Sequence, residues 1–249
     1  MNATAGADRW ITTFRPNSLA RLRLFCLPAA GGNASAFQEW SNLLPGEIDV
    51  CAVQLPGRQQ RAAEQPYTRM SLAVQALEQA IRPYLDLPFA IFGTCTGSLV
   101  GFELAQRLRR TLDIQPSYFF ASCCRAPHLP DRDLPIHALP GDKLWAEIER
   151  LGGTPAIVTE HPEMQAVLSP VLRADFELAE TYLYRNSPPL DCPLTVFGGM
   201  HDPIVSPVEL AGWRDHTTGA FETLMLDGGH YLIDSARDQL VRAIATGCA

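Results

Sequence analysis

The stretch Phe89-Ala-Ile-Phe-Gly-Thr-Cys95-Thr-Gly-Ser-Leu-Val-Gly-Phe-Glu-Leu-Ala105 limits what this chain can fold into more than any other. Phe89 to Phe92 predict a short buried strand, and after a tight turn the apolar residues recur at helical spacing. The turn, Gly93-Thr94-Cys95-Thr96-Gly97, is G-x-S-x-G with cysteine in the serine's place. Glycines two before and two after the centre let strand and helix approach closely around a strained residue, which presents its side chain as a nucleophile. That side chain lies at the positive N-terminal end of the following helix, where a thiol loses its proton more readily than a free one. The five residues alone also match a chance glycine-flanked turn; the strand before and the helix after favour the functional reading.

The rest of the chain alternates. Residues 1 to about 20 read as a poorly structured lead-in with Trp10 as an anchor. Strands are expected over 21–27, 48–54, 116–122, 193–198 and 221–226. A helix with Ala36, Phe37, Trp40, Leu43 and Leu44 inward follows the first strand, and another over 71–85 turns Leu72, Val74, Leu77, Ile81 and Leu85 to the core. Strands alternating with helices imply a mostly parallel central sheet flanked by helices, an α/β class. Between Arg125 and Pro189 no strand is legible: a proline-rich connection leads to helices near 142–151, 163–168 and 171–184. Some 60 residues make a marginal core alone, so about 125–189 reads as a helical lid inserted over the sheet edge, in one domain spanning 1–249.

Composition excludes several classes. The formal charge of −7 argues against nucleic acid as the partner, since phosphate binding needs a basic face; of the local cluster Arg107, Arg109 and Arg110, the reading as cations at a helix C-terminus is favoured. The seven cysteines show no C-x-x-C pair, hence no zinc or redox signature. Cys26, Cys51, Cys123 and Cys192 sit in or beside apolar runs and read as packing, and adjacent Cys123 and Cys124 rarely suit a disulfide. The first residues lack a basic segment followed by an apolar run, and no stretch is long enough to span a membrane. A cytoplasmic protein is expected, with no metal and no bound cofactor.

The nucleophile order is completed downstream. Asp202 follows a strand and two glycines, and His230 follows a later strand and two more. Nucleophile, acid, base in chain order is the order of α/β-hydrolases. His230 would take the Cys95 proton and Asp202 would orient its imidazole. The backbone N–H groups of Ala30 and Thr96 would hold the oxyanion. Asp227 is a rival acid and His201 a rival base. Histidines 128, 137, 161, 201 and 216 are otherwise expected to be solvated.

Several ordered blocks resemble the type II thioesterases of polyketide and nonribosomal peptide assembly lines: Arg21-Leu-Arg-Leu-Phe-Cys-Leu-Pro-Ala-Ala-Gly-Gly-Asn-Ala-Ser35, Val53-Gln-Leu-Pro-Gly-Arg58, Leu151-Gly-Gly-Thr-Pro155, Leu172-Arg-Ala-Asp-Phe176, Glu180-Thr-Tyr-Leu-Tyr184 and Gly228-Gly-His-Tyr231. The resemblance runs from about Trp10 to the C-terminal helix. It implies an α/β-hydrolase fold with a helical lid that shapes an apolar acyl chamber. The substrate it implies is an acyl thioester on the phosphopantetheine arm of an acyl or peptidyl carrier protein, and it favours a monomer. Two departures stand out: the family usually has G-H-S-M-G where this chain has Gly93-Thr-Cys-Thr-Gly97, and histidine where Ala29 stands.

Cysteine changes the intermediate. Serine would give an oxygen ester, downhill from the thioester; cysteine gives a second thioester that stays activated. Release of the acyl group to water is therefore expected beside an alternative, transfer from Cys95 to an amine or a second carrier thiol. Dienelactone hydrolases also place cysteine at this elbow but lack the Leu-Gly-Gly-Thr-Pro and Arg-Ala-Asp-Phe blocks. A non-catalytic carrier-binding relative would not be expected to keep Asp202, His230 and both elbow glycines.

Overall fold

The structure, a computed structural model, describes residues 9–130, 135–152, 154 and 156–248. The first eight residues of the expected lead-in, residues 131–134 of the proline-rich connection, and Gly153 and Pro155 of the Leu-Gly-Gly-Thr-Pro block lie outside them.

Seven strands form one sheet: β1 (Ile11–Thr12), β2 (Leu22–Leu27), β3 (Ile48–Val53), β4 (Phe89–Thr94), β5 (Tyr118–Ser122), β6 (Leu194–Gly199) and β7 (Phe221–Leu226). Their order is β1-β3-β2-β4-β5-β6-β7. All pairings are parallel except β1 with β3. β3 and β4 are buried along their whole length, as strands covered on both faces must be, and their sequences are accordingly near-continuous apolar runs. This is an α/β-hydrolase-like fold.

Helices cover both faces: α1 (Trp40–Leu43), α2 (Met70–Ile81), α3 (Thr96–Leu112), α4 (Gly141–Leu151), α5 (Ala156–Thr159), α6 (Pro162–Glu180), α7 (Pro207–Ala211), α8 (Leu232–Ser235) and α9 (Arg237–Gly247). One apolar layer lies between the sheet and α2 and α3, the other between the sheet and α1, α8 and α9. α3 stops at Asp113, a left-handed residue with φ 58°. Two arginines near its end are structural: Arg109 donates to the carbonyls of Pro188 and Pro189, both at 2.6 Å, and Arg107 pairs with buried Glu78.

Local departures from the sequence reading have physical causes. The described part of the lead-in is built into the fold: Ile11–Thr12 pair antiparallel with β3 and cover an edge that would otherwise expose unpaired backbone groups. Trp10 is indeed an anchor, with the Arg61 guanidinium 4.0 Å from its ring centroid. A two-residue strand is too short to show a period. Leu72 points to solvent, as do Leu43 and Leu183; α2 buries Met70, Ala73, Val74, Leu77 and Ile81 instead.

Among the described residues of 125–189 there is no strand, and just beyond them Leu190 forms an isolated parallel bridge with Thr217. α4 matches expectation, but the two helices expected over 163–168 and 171–184 are one, α6, which runs through Pro170. The proline removes one helical hydrogen bond, and burial of Val171, Leu172, Ala174 and Leu178 on the same helix outweighs it. Leu172 joins Leu144, Trp145, Ile148 and Val158 in a small apolar cluster of this insertion, while Leu178 belongs to the main core. No helix of the described residues is long and apolar enough to cross a membrane.

Candidate active site

β4 ends in the expected turn. Cys95 has φ 51° and ψ −122°, a strained backbone for a side-chain-bearing residue, and α3 begins at Thr96. Gly97 is where the strand and helix of the elbow meet a third segment: a Cβ there would stand 2.5 Å from the Pro28 carbonyl oxygen and press on that of Leu27 as well. The loop after β2, which carries Ala30, is thereby brought against the first turn of α3, whose leading N–H groups have no partner within the helix.

The loops after β6 and β7 are held to each other by backbone: the His201 N–H donates to the Gly228 carbonyl at 2.9 Å. Asp202 and His230 meet across them, with His230 Nδ1 2.9 Å from Asp202 Oδ2 and both side chains buried. Asp202 Oδ1 accepts from the Ile204 and Val205 N–H groups at 2.8 and 3.2 Å. The rival acid is occupied elsewhere. Asp227 Oδ1 lies 3.2 Å from His201 Nε2, and both side chains are exposed, so the rival acid and the rival base pair with each other.

Electrostatics link the three groups. Burial opposes ionisation of Cys95, but a hydrogen bond from His230, the imidazolium charge and the Thr96 N–H outweigh it and hold the thiol below its ordinary value of 9.0. The Thr96 hydroxyl lies 3.9 Å from Sγ. Burial likewise disfavours imidazolium at His230, yet Asp202 and the Cys95 sulfur raise it to about 10. Asp202 is desolvated, but His230 and the two N–H groups keep it below 3.8. The two charges support one another: imidazolium at His230 favours thiolate at Cys95, and thiolate favours imidazolium.

A second thiol stands close by. Cys123, just past β5 and also at positive φ, has its sulfur within 4.8 Å of ligand atoms of Asp202 and His230. Burial and the Asp202 charge push it up to about 12, so it stays a neutral thiol. Such a trio can in principle hold a metal ion, but both Asp202 oxygens and His230 Nδ1 are already engaged in hydrogen bonds. All seven cysteines are free. Cys26, Cys51, Cys123 and Cys192 are buried as expected, and so is Cys124.

Two features escaped sequence reading. His216, expected to be solvated, is buried against Phe102 and Trp213, with its Nε2 2.8 Å from His128 Nδ1. Arg58 and Asp175 form a buried ion pair at 2.7 Å. They lie 117 residues apart, and neither shows a periodic signal; each sits in a block noted only for its resemblance.

Comparison with known proteins bears on the fold and the family. Residues 22–248 match the family described as Thioesterase domain. The gramicidin S biosynthesis protein GrsT of Aneurinibacillus migulanus is 39% identical over 241 residues, covering 97% of this chain and 94% of that protein. The fold superposes with a TM-score of 0.88 on RedJ, a thioesterase from the prodiginine pathway of Streptomyces coelicolor, at 37% identity and 95% coverage of each chain. BorB, a type II thioesterase from the borrelidin biosynthetic cluster, also gives 0.88, at 36% identity over 97% of this chain and 98% of its own.

Proposed function

The chain belongs to the thioesterase family, and from that premise we propose that it is a type II thioesterase of polyketide or nonribosomal peptide assembly. It releases acyl groups from the phosphopantetheine arm of acyl or peptidyl carrier proteins through an acyl-Cys95 intermediate. One observation carries the reading: the strained thiol of Cys95 is paired with His230, whose other side is held by buried Asp202.

The Cys95 thiolate adds to the thioester carbonyl, and the oxyanion that forms is held by the N–H groups of Ala30 and Thr96. Collapse expels the carrier thiolate, which takes the proton of the His230 imidazolium. Neutral His230 then accepts a proton from water as its oxygen adds to the acyl-Cys95 carbonyl. A second collapse releases the carboxylic acid and returns the thiolate–imidazolium pair after proton redistribution. Asp202 keeps Nδ1 of the ring protonated so that Nε2 serves the reacting atoms. The helical insertion acts as a lid over this edge within a single domain of one monomer. Seven unpaired thiols suit a reducing, cytoplasmic setting.

The thiol itself favours a second reading. Acyl-Cys95 is a thioester, as activated as the substrate, so an amine or another carrier thiol competes with water for it. Intact mass after mixing with acyl-carrier thioesters, beside Cys95→Ala, tests both. An adduct that needs Cys95 and decays in water establishes the thioesterase; one that persists in water and disappears on adding an amine or second carrier establishes transfer. No adduct and no turnover across a panel of acyl chains would leave only a carrier-binding protein.

A further inference from the structure

The buried pair Arg58–Asp175 joins three segments at the site's edge. Asp175 lies on α6, in the insertion; Arg58 lies in the loop after β3. Arg58 Nη1 and Nη2 donate to Asp175 Oδ2 and Oδ1, both at 2.7 Å. Asp175 Oδ2 also accepts the Gly31 N–H at 2.7 Å, and Arg58 Nη1 donates to the Gly32 carbonyl at 2.9 Å. The side chains of Arg58 and Asp175 are 6% and 5% exposed, so solvent does little to loosen them.

The second half of one tight turn, Ala29 to Gly32, is therefore fixed by this pair. Inside the turn the Gly32 N–H donates to the Ala29 carbonyl at 2.9 Å. That carbonyl belongs to the peptide unit whose N–H is Ala30's, and a planar trans peptide points the two in opposite directions. Holding Gly31 and Gly32 thus sets where the Ala30 N–H points. Packing agrees with the hydrogen bonds: Gly31 has φ +71°, and a Cβ there would stand 2.5 Å from Leu172 Cδ2 of α6. Asp175 also lines a small apolar cavity together with Ala29, Thr96 and Gly97.

We infer that Asp175 and Arg58 are positioning residues for the oxyanion site, through which the seating of the helical insertion sets the direction of the Ala30 N–H. This rests on the reading that Ala30 and Thr96 hold the oxyanion. It makes the insertion part of the catalytic apparatus rather than only a cover: displacing α6 withdraws an acceptor from Gly31 and frees the turn.

The test compares two reactions of the same sulfur. Alkylation by iodoacetamide needs the thiolate but forms no oxyanion; acylation by an acyl-carrier thioester needs both. In Asp175→Ala, acylation of Cys95 is expected to slow about 10²-fold, the order of effect of an ångström-scale misplacement, with alkylation within about threefold of wild type. Asp175→Asn, which keeps an acceptor for Gly31, should recover part of the loss. Should the unpaired arginine prevent folding, Arg58→Met with Asp175→Leu replaces the buried pair by apolar groups of similar size, which commonly preserves folding, and the same loss is expected. Acylation within about threefold of wild type in a folded variant would overturn the inference. So would acylation and alkylation falling by the same factor, which would place the effect on the thiolate. A wild-type protein that forms no acyl-Cys95 would instead remove the proposed function, and this inference with it.

Discussion

Replacing His230 with alanine separates the role of the ion pair from that of the elbow. In the wild-type site burial raises the Cys95 thiol, and the hydrogen bond and charge of His230 outweigh it. Without the imidazolium the burial effect is left with only the Thr96 groups against it, so the thiol returns to its ordinary 9.0 or beyond. A thiol at that value is about 1% ionised at pH 7, so the wild-type thiol, held below it, carries the larger thiolate fraction there. The more basic thiolate is intrinsically more nucleophilic, by about 10^0.45, or roughly threefold, per unit, against a roughly tenfold loss of ionisation per unit. The net expectation is slower alkylation by iodoacetamide at pH 7, by roughly threefold for each unit that the thiol rises. The sign is fixed by the direction of the shift: the variant's deficit should shrink as pH rises and reverse once both proteins carry the thiolate, because the variant's more basic thiolate is the stronger nucleophile. Peptide mapping should find the label on Cys95 in wild type. Burial holds Cys51, Cys123 and Cys192 at about 12 and Cys248 at about 11, and Cys26 and Cys124 well above the ordinary value. Equal alkylation rates for the two proteins at pH 7, or first labelling at another cysteine, would refute the ion-pair argument.

Other perturbations probe the frame around the site. Gly97→Ala should destabilise the fold by about 3 kcal/mol or more, because its Cβ would meet backbone carbonyls of Leu27 and Pro28 that cannot swing aside; an unchanged urea midpoint would contradict this. His216 is held neutral, with burial first and His128 second lowering it to about 4. The unfolded chain takes up a proton below about 6.5 that the folded chain refuses until about 4, so stability should fall by about 2 kcal/mol between pH 7 and pH 5. His216→Gln should remove most of that slope, as read from melting temperatures at the two pH values.

The elbow was legible in the sequence because its chemistry is local. A strand, a strained turn and a helix N-terminus occupy 17 contiguous residues, Phe89 to Ala105, and the glycines needed for close approach sit at fixed offsets. The parallel sheet was legible for a similar reason: strands buried on both faces must be continuous apolar runs, and those runs alternate with helical periods. Asp202 and His230 were findable because each follows a strand and a glycine pair, although chain order alone left Asp227 in contention.

What only the tertiary structure decided is every choice that turns on long-range contact. It seats Asp202 rather than Asp227 on His230, a matter of which loop backbone lies against which. It carries α6 through Pro170, since burial along the helix exceeds the loss of one hydrogen bond. It buries His216, though its neighbours in sequence are polar, because Phe102 and Trp213 close over it. And it brings Arg58 to Asp175 across 117 residues, a pairing for which the chain carries no periodicity or spacing, because an ion pair is set by where two surfaces meet.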